Sequence, residues 1–123
     1  MKLLFVLILF YINLFPQDKD TSMSVNELKN AILADSTLLI LDVRLPEELI
    51  GPLGKIDNVV NIPVQQLEKR IGELDKYKDR NIAVICRSGH RSAYAQRILA
   101  DHGFKAKNVE GGMAEYRKYE KEN

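Results

Sequence analysis

The run Cys86-Arg87-Ser88-Gly89-His90-Arg91-Ser92 gathers small and polar residues and two arginines where a core would use none of them. A cysteine alone can serve as a small buried hydrophobe. In this company its sulfur reads as a nucleophile, because the reactive thiolate is favoured by backbone N–H groups, a helix N-terminus and nearby cations. Arg87 and Arg91 supply the positive charge, both for the thiolate and for an anionic substrate. Gly89 lets the chain turn tightly without a side-chain clash. Ser88 and Ser92 carry hydroxyl donors, and Ser92 is also a candidate first-turn cap of a following helix. His90, at the apex of the run, is expected to point outward and shape the entrance rather than act as a base.

Composition narrows the chemistry further. One Cys and two His are too few for a Cys-rich zinc site and cannot make an internal disulfide, so no cofactor is expected to bind through those groups. With 18 Lys+Arg against 17 Asp+Glu, the net charge of +1 creates no global field to attract nucleic acid. Any anion site must be local. A chain of 123 residues, 46% hydrophobic and 28% charged, fits one globular domain and not a disordered polymer.

Strands and helices must hold the run in place. Ile82-Ala83-Val84-Ile85 is an apolar strand leading straight into Cys86, and from Ser92 a helix is expected to His102, with Ala95, Ile98, Leu99 and His102 on one face and Gly103 as its stop. A strand, a tight loop and a helix start in succession aim several N–H groups at one point and add the positive end of the helix dipole. Leu38-Leu39-Ile40-Leu41, apolar without alternation and ending at Asp42, suits a parallel strand covered on both faces. Ser24-Val25-Asn26-Glu27 is a capping box opening a helix with Val25, Leu28 and Ile32 as its apolar stripe. The stretch from Leu45 to Asn58, rich in Pro and Gly, reads as a short helix within a loop. Val59-Val60-Asn61 is a brief strand, Gln65 to Ile71 is weakly helical, Lys107-Asn108-Val109 is a last strand, and Gly111-Gly112 turns into a helix from Met113 to Glu120. Strands alternating with helices at these lengths predict a single α/β domain with a mostly parallel sheet. Such sheets carry their sites at the carboxyl ends of strands, which is where Cys86 stands.

The first residues have a different character. Leu3 to Phe15 is an apolar run broken by Asn13 and closed by Pro16, then Gln17-Asp18-Lys19-Asp20. Its length, about 13 residues, fits a signal h-region better than the roughly 20 of a spanning helix. Asn13-Leu14-Phe15 is too bulky for a signal-peptidase site, which leaves an uncleaved anchor open. The expected division is therefore 1–17 as signal peptide or membrane anchor engaging the export machinery, and 18–123 as the folded domain. The domain would then be exported, to a periplasm or an outer membrane face. A lone thiol in such an oxidising space would be kept for reactivity.

The run from Cys86 to Ser92 resembles the active-site loop of single-domain rhodanese-like sulfurtransferases. The resemblance extends over most of the chain. Leu41-Asp42-Val43-Arg44 with Glu48 is similar to the family's first signature, Asn61-Ile62-Pro63 to its second, and Glu110-Gly111-Gly112 with Tyr116 to its last. Leu49, Gly54-Lys55-Ile56, Asn58-Val59 and Tyr116 depart from the usual pattern, and they touch the scaffold, not the loop.

The resemblance implies an α/β rhodanese-like domain with a central, mostly parallel sheet of about five strands and helices on both faces. It also implies an enzyme of the thiosulfate sulfurtransferase type that requires no metal or organic cofactor. Cys86 would be the catalytic nucleophile, moving a sulfane sulfur from thiosulfate or a related persulfide donor to cyanide or a thiol, protein thiols included, through a persulfide. Arg87, Ser88, Gly89, His90, Arg91 and Ser92 would bind substrate, while Asp42 and Arg44 would brace the site, with Arg44 pairing to Glu48. A non-catalytic persulfide carrier or binding module is the alternative. A cysteine-dependent phosphatase or arsenate reductase fits less well: their phosphate cradles place Arg six positions after Cys, and Arg91 is five after Cys86, giving a smaller ring.

Overall fold

The computed structural model describes residues 20–123; the expected signal or anchor over 1–17 lies outside them. Five strands form one sheet: β1 (Ser22–Met23), β2 (Leu39–Asp42), β3 (Val60–Asn61), β4 (Asn81–Ile85) and β5 (Lys105–Val109). Every pairing is parallel, in the order β1-β5-β4-β2-β3. The main helices are α1 (Val25–Ala34), α2 (Pro46–Leu49), α3 (Leu67–Arg70), α4 (His90–Asp101) and α5 (Gly112–Glu122).

The central strands are apolar without alternation because both of their faces are covered. Successive side chains point to opposite sides. Leu39, Leu41, Ile82 and Val84 join Leu67, Leu74, Ala95, Ile98 and Leu99 in one core, beneath α3 and α4. Ile40, Ala83 and Ile85 join Val25, Leu28, Met113 and Tyr116 in the other, beneath α1 and α5. The two-residue period continues past the end of β4, so Cys86 falls in register with Ile82 and Val84 and belongs to the first core. The sulfur therefore faces α4.

Several local expectations change. The capping box is present, with Glu27 N donating to Ser24 Oγ and Ser24 N donating to the Glu27 carboxylate, each at 3.0 Å. Ile32 in the same helix, expected in its buried stripe, is exposed. Helix α4 begins at His90, two residues earlier than expected, with Gly89 as its N-cap at φ 106°. His102, expected to pack on the apolar face of that helix, is an exposed C-cap whose Nδ1 lies 2.8 Å from the Ile98 carbonyl oxygen. A 3-10 helix over Ile71–Tyr77 continues the weakly helical stretch beyond its expected end.

Helix α5 packs its first turn directly against the cysteine loop. Met113 N donates to the Cys86 carbonyl at 2.8 Å and Ala114 N to that of Arg87 at 3.0 Å. Gly112 makes this approach possible: at φ 57°, an added Cβ would lie 2.5 Å from the Cys86 carbonyl oxygen and 2.6 Å from the Arg87 carbonyl carbon and oxygen. Those are backbone atoms that cannot swing aside. Gly112→Ala is accordingly expected to destabilise the domain by about 1–3 kcal/mol in urea unfolding and to slow sulfur chemistry at Cys86. Gly72→Ala, with nothing within 4 Å of its added Cβ, is the control and should do neither.

Candidate active site

Cys86 sits where β4 ends and α4 begins, and the turn between them wraps the sulfur. Gly89 N donates to Cys86 Sγ at 3.1 Å and Ser92 N at 3.4 Å. The Ser92 hydroxyl stands 3.3 Å from the sulfur. Gly89 adopts a left-handed φ that most residues resist, and this turns its N–H inward.

The sulfur of this expected nucleophile is buried. Cys86 is 1% exposed, because the strand register directs its side chain at the core side of α4. Burial pushes the thiol's pKa up. Hydrogen bonds from the Ser92 hydroxyl and from the main-chain N–H groups of Ser92, Gly89 and Ser88 outweigh it, leaving the group below the ordinary thiol range. Amides and a hydroxyl thus stabilise the anion in a place that would otherwise favour the neutral form.

Ser92 is not the helix cap. It is buried, and its hydroxyl also lies 2.5 Å from Asn108 Oδ1 on β5. The hydroxyl donates to Asn108, so a neutral Cys86 thiol can donate to the Ser92 oxygen, whereas an ionised Cys86 can only accept from that hydroxyl. Iodoacetamide modification of Cys86 should show a pH midpoint below that of a free thiol, roughly 8.5. Ser92→Ala should move this midpoint upward; an unchanged midpoint would mean that the hydroxyl does not stabilise the thiolate.

The two loop arginines differ. Arg91 is not a free cation for an incoming donor: it is bound fork to fork by Glu48 of α2, at 2.7 and 2.8 Å. The Arg91 hydrogen bonds hold the Glu48 carboxyl at about 2 despite partial burial, and the same contact raises the pKa of Arg91. Arg87 is exposed. His90 is exposed too, with Nδ1 at 3.3 Å from the Ser88 hydroxyl.

Asp42 and Arg44 lie behind the loop, 0% and 1% exposed. Arg44 Nη2 donates to Asp42 Oδ2 at 2.7 Å and to the Gly54 carbonyl at 2.7 Å, and Nη1 reaches the Glu48 main-chain oxygen at 3.3 Å. The expected pairing of Arg44 with the Glu48 carboxylate is replaced by this one, because that carboxylate is occupied by Arg91. Asn61 Nδ2 donates to the carbonyls of Asp42 and Arg44 at 2.9 Å each, tying β3 to the same corner. Val43 N donates to the Ile85 carbonyl at 3.0 Å, one residue before Cys86.

Sequence reasoning missed Glu48 as the partner of Arg91 and Asn108 as the partner of Ser92. The spacing of both pairs is non-local, and neither had a local signal. Gly112 was legible as a turn, but not as the point where α5 meets the cysteine loop.

The model of the rhodanese-like domain matches residues 24–119. Over 91 residues the chain is 41% identical to "Putative sulfurtransferase YtwF" of Bacillus subtilis (strain 168), covering 74% of this chain and 84% of that protein. It is 39% identical over 95 residues to "Putative sulfur carrier protein YrkF" of the same organism, covering 76% of this chain but 49% of the relative. A crystal structure of a rhodanese-related protein from Thermoplasma volcanium superposes with a TM-score of 0.71 at 36% identity, covering 80% of this chain and 91% of that one.

Proposed function

Because the chain belongs to the rhodanese-like domain family, we propose that it is a sulfurtransferase working through a persulfide on Cys86. The observation that carries this reading is the sulfur of Cys86 held by the N–H groups of Gly89 and Ser92. In the loading step the Cys86 thiolate attacks the outer sulfur of thiosulfate. The sulfur–sulfur bond of the donor breaks, its electron pair leaves with sulfite, and the outer sulfur stays on Sγ. In the unloading step cyanide or a thiolate attacks that sulfur, the bond to Sγ breaks, and its electron pair returns to Cys86 as thiolate. Two easy displacements replace one difficult transfer. The main-chain donors of the loop are already oriented toward the anion in both steps and need no reorganisation.

Arg87 and the loop N–H groups are the binding elements for the anionic donor in this reading. Arg91 is a positioning residue that ties the start of α4 to Glu48. A persulfide carrier is the second reading, favoured by the likeness to YrkF and by the burial of Cys86. Mass spectrometry after thiosulfate exposure separates the two. One added sulfur on Cys86 followed by catalytic thiocyanate release with cyanide supports the enzyme, one added sulfur without turnover supports the carrier, and no added sulfur refutes both.

A further inference from the structure

Of the groups within hydrogen-bond reach of Cys86 Sγ, the N–H groups of Gly89 and Ser92 are fixed by the main chain, and the Ser92 hydroxyl alone can turn. Burial raises the pKa of the thiol, and among the contacts that lower it this hydroxyl does most. Its single hydrogen has two neighbours to choose between, Sγ at 3.3 Å and Asn108 Oδ1 at 2.5 Å. A carbonyl oxygen only accepts, so with Oδ1 on this side the hydrogen goes to Asn108 and lone pairs are left for the sulfur. That arrangement suits a thiol, whose S–H can donate to Oγ. It does not suit a thiolate. Were the hydroxyl merely to swing toward the ionised sulfur, two oxygens 2.5 Å apart would have no hydrogen between them.

Asn108 carries the means to remove this conflict. Its main chain is held on both sides, by pairing with Ser22 of β1 and Val84 of β4, so the reach of its side chain toward Ser92 is set. Its amide has an acceptor at Oδ1 and donors at Nδ2, and the torsion that exchanges them is broadly two-fold. Nδ2 makes no hydrogen bond among the described residues, so a half-turn of the amide breaks only the bond to Ser92. After the half-turn Nδ2 donates to Ser92 Oγ, and Oγ donates to the ionised sulfur.

We propose that Asn108 is a positioning residue for Cys86: its side-chain amide turns over between the two charge states of the sulfur, accepting the Ser92 hydrogen when Sγ is neutral and directing it to Sγ when Sγ is ionised. The Ser92 hydrogen stays on its oxygen throughout, and only the direction of its hydrogen bond changes. The use of this device in sulfur transfer rests on the sulfurtransferase reading. In that cycle Sγ is anionic before loading and after unloading, and neutral while it is bonded to the outer sulfur, so the amide would turn twice per cycle.

Asn108 is uncharged, so its influence on the sulfur passes through the hydroxyl. The charged and titratable groups about the loop are Arg87, His90 and Arg91, the last bound to Glu48 of α2, and the Asp42–Arg44 pair at the end of β2. Helix α5 offers the loop main-chain N–H groups. None of these changes when Asn108 or Ser92 is replaced.

The direct readout is NMR of the Asn108 side-chain amide protons in the isotope-labelled full chain as pH is raised. One of them should move downfield in a step whose midpoint equals that of iodoacetamide modification of Cys86. The step should be absent from Cys86→Ser and Ser92→Ala, both of which keep His90. The second readout is that modification midpoint in a double-mutant cycle. Bonds serving an ionised group are the stronger ones, so Asn108→Ala should raise the midpoint by about 0.5–1 pH unit, and should shift it no further in a Ser92→Ala background. Amide protons that do not titrate with Cys86, or an equal shift from Asn108→Ala with and without the Ser92 hydroxyl, would overturn the role of Asn108. Sulfur uptake from thiosulfate, measured on the same wild-type sample by mass spectrometry, reports separately on the sulfurtransferase reading: uptake without the NMR step removes only the role of Asn108, and the NMR step without uptake removes only its use in sulfur transfer.

Discussion

A Cys86→Ser protein is expected to fold, to gain no sulfur from thiosulfate and to release no measurable thiocyanate with cyanide. The replacement changes the nucleophile and little else. Gly89 N and Ser92 N, now at 3.1 and 3.4 Å from Sγ, keep an acceptor in the serine oxygen, so the turn between β4 and α4 retains its partners. What is lost is the anion. The loop lowers the pKa of the thiol at this position, but a hydroxyl starts so far above neutral pH that the same donors cannot ionise it. An oxygen nucleophile also could not form the sulfur–sulfur bond on which the relay depends. Deleting a catalytic nucleophile has cost on the order of 10^6 in kcat in a well-studied hydrolase, and a comparable loss would put turnover beneath detection here. The measurement is thiocyanate release, with the melting temperature as control. Turnover above a few per cent of wild type in a protein with an unchanged melting temperature would move the chemistry to another group.

The same loop shows how far a sequence can be read. The polar run from Cys86 to Ser92 between an apolar strand and a helix pointed to a ring of donors around sulfur, and the geometry contains one. The apolar runs of β2 and β4 were legible because strands buried on both faces leave no alternation to confuse. The depth of Cys86 was also encoded: Ile82, Val84 and Cys86 share one face of a strand, and this period places the sulfur inward. Strand β1 was invisible. Ser22 and Met23 pair only at the sheet edge, with Asn108 and Val109, and two residues carry no periodic pattern. Arg91 and Glu48 are 43 residues apart, so only the fold could show that the carboxylate meets Arg91 and not Arg44.

Breaking the buried pair behind the site should produce the largest loss of stability. In Asp42→Ala the Arg44 guanidinium, 1% exposed, would keep its bonds to the Gly54 and Glu48 carbonyls but lose both carboxylate oxygens. A buried charge without its counterion costs about 3–5 kcal/mol. Small domains are stable by only about 5–15 kcal/mol, so the variant would survive near the edge of folding. The melting temperature should fall by roughly 15–30 °C. The loss should reach the site as well: Asp42 is paired in register with Ile85, next to Cys86, and its carbonyl accepts from Asn61. Activity per folded molecule is the informative quantity. If Asp42 acts by holding the scaffold, activity at low temperature should follow the folded fraction, and Asp42→Asn, which retains an oxygen acceptor for Arg44, should recover part of both. A variant with wild-type melting behaviour and no activity would instead place Asp42 in the chemistry of sulfur transfer.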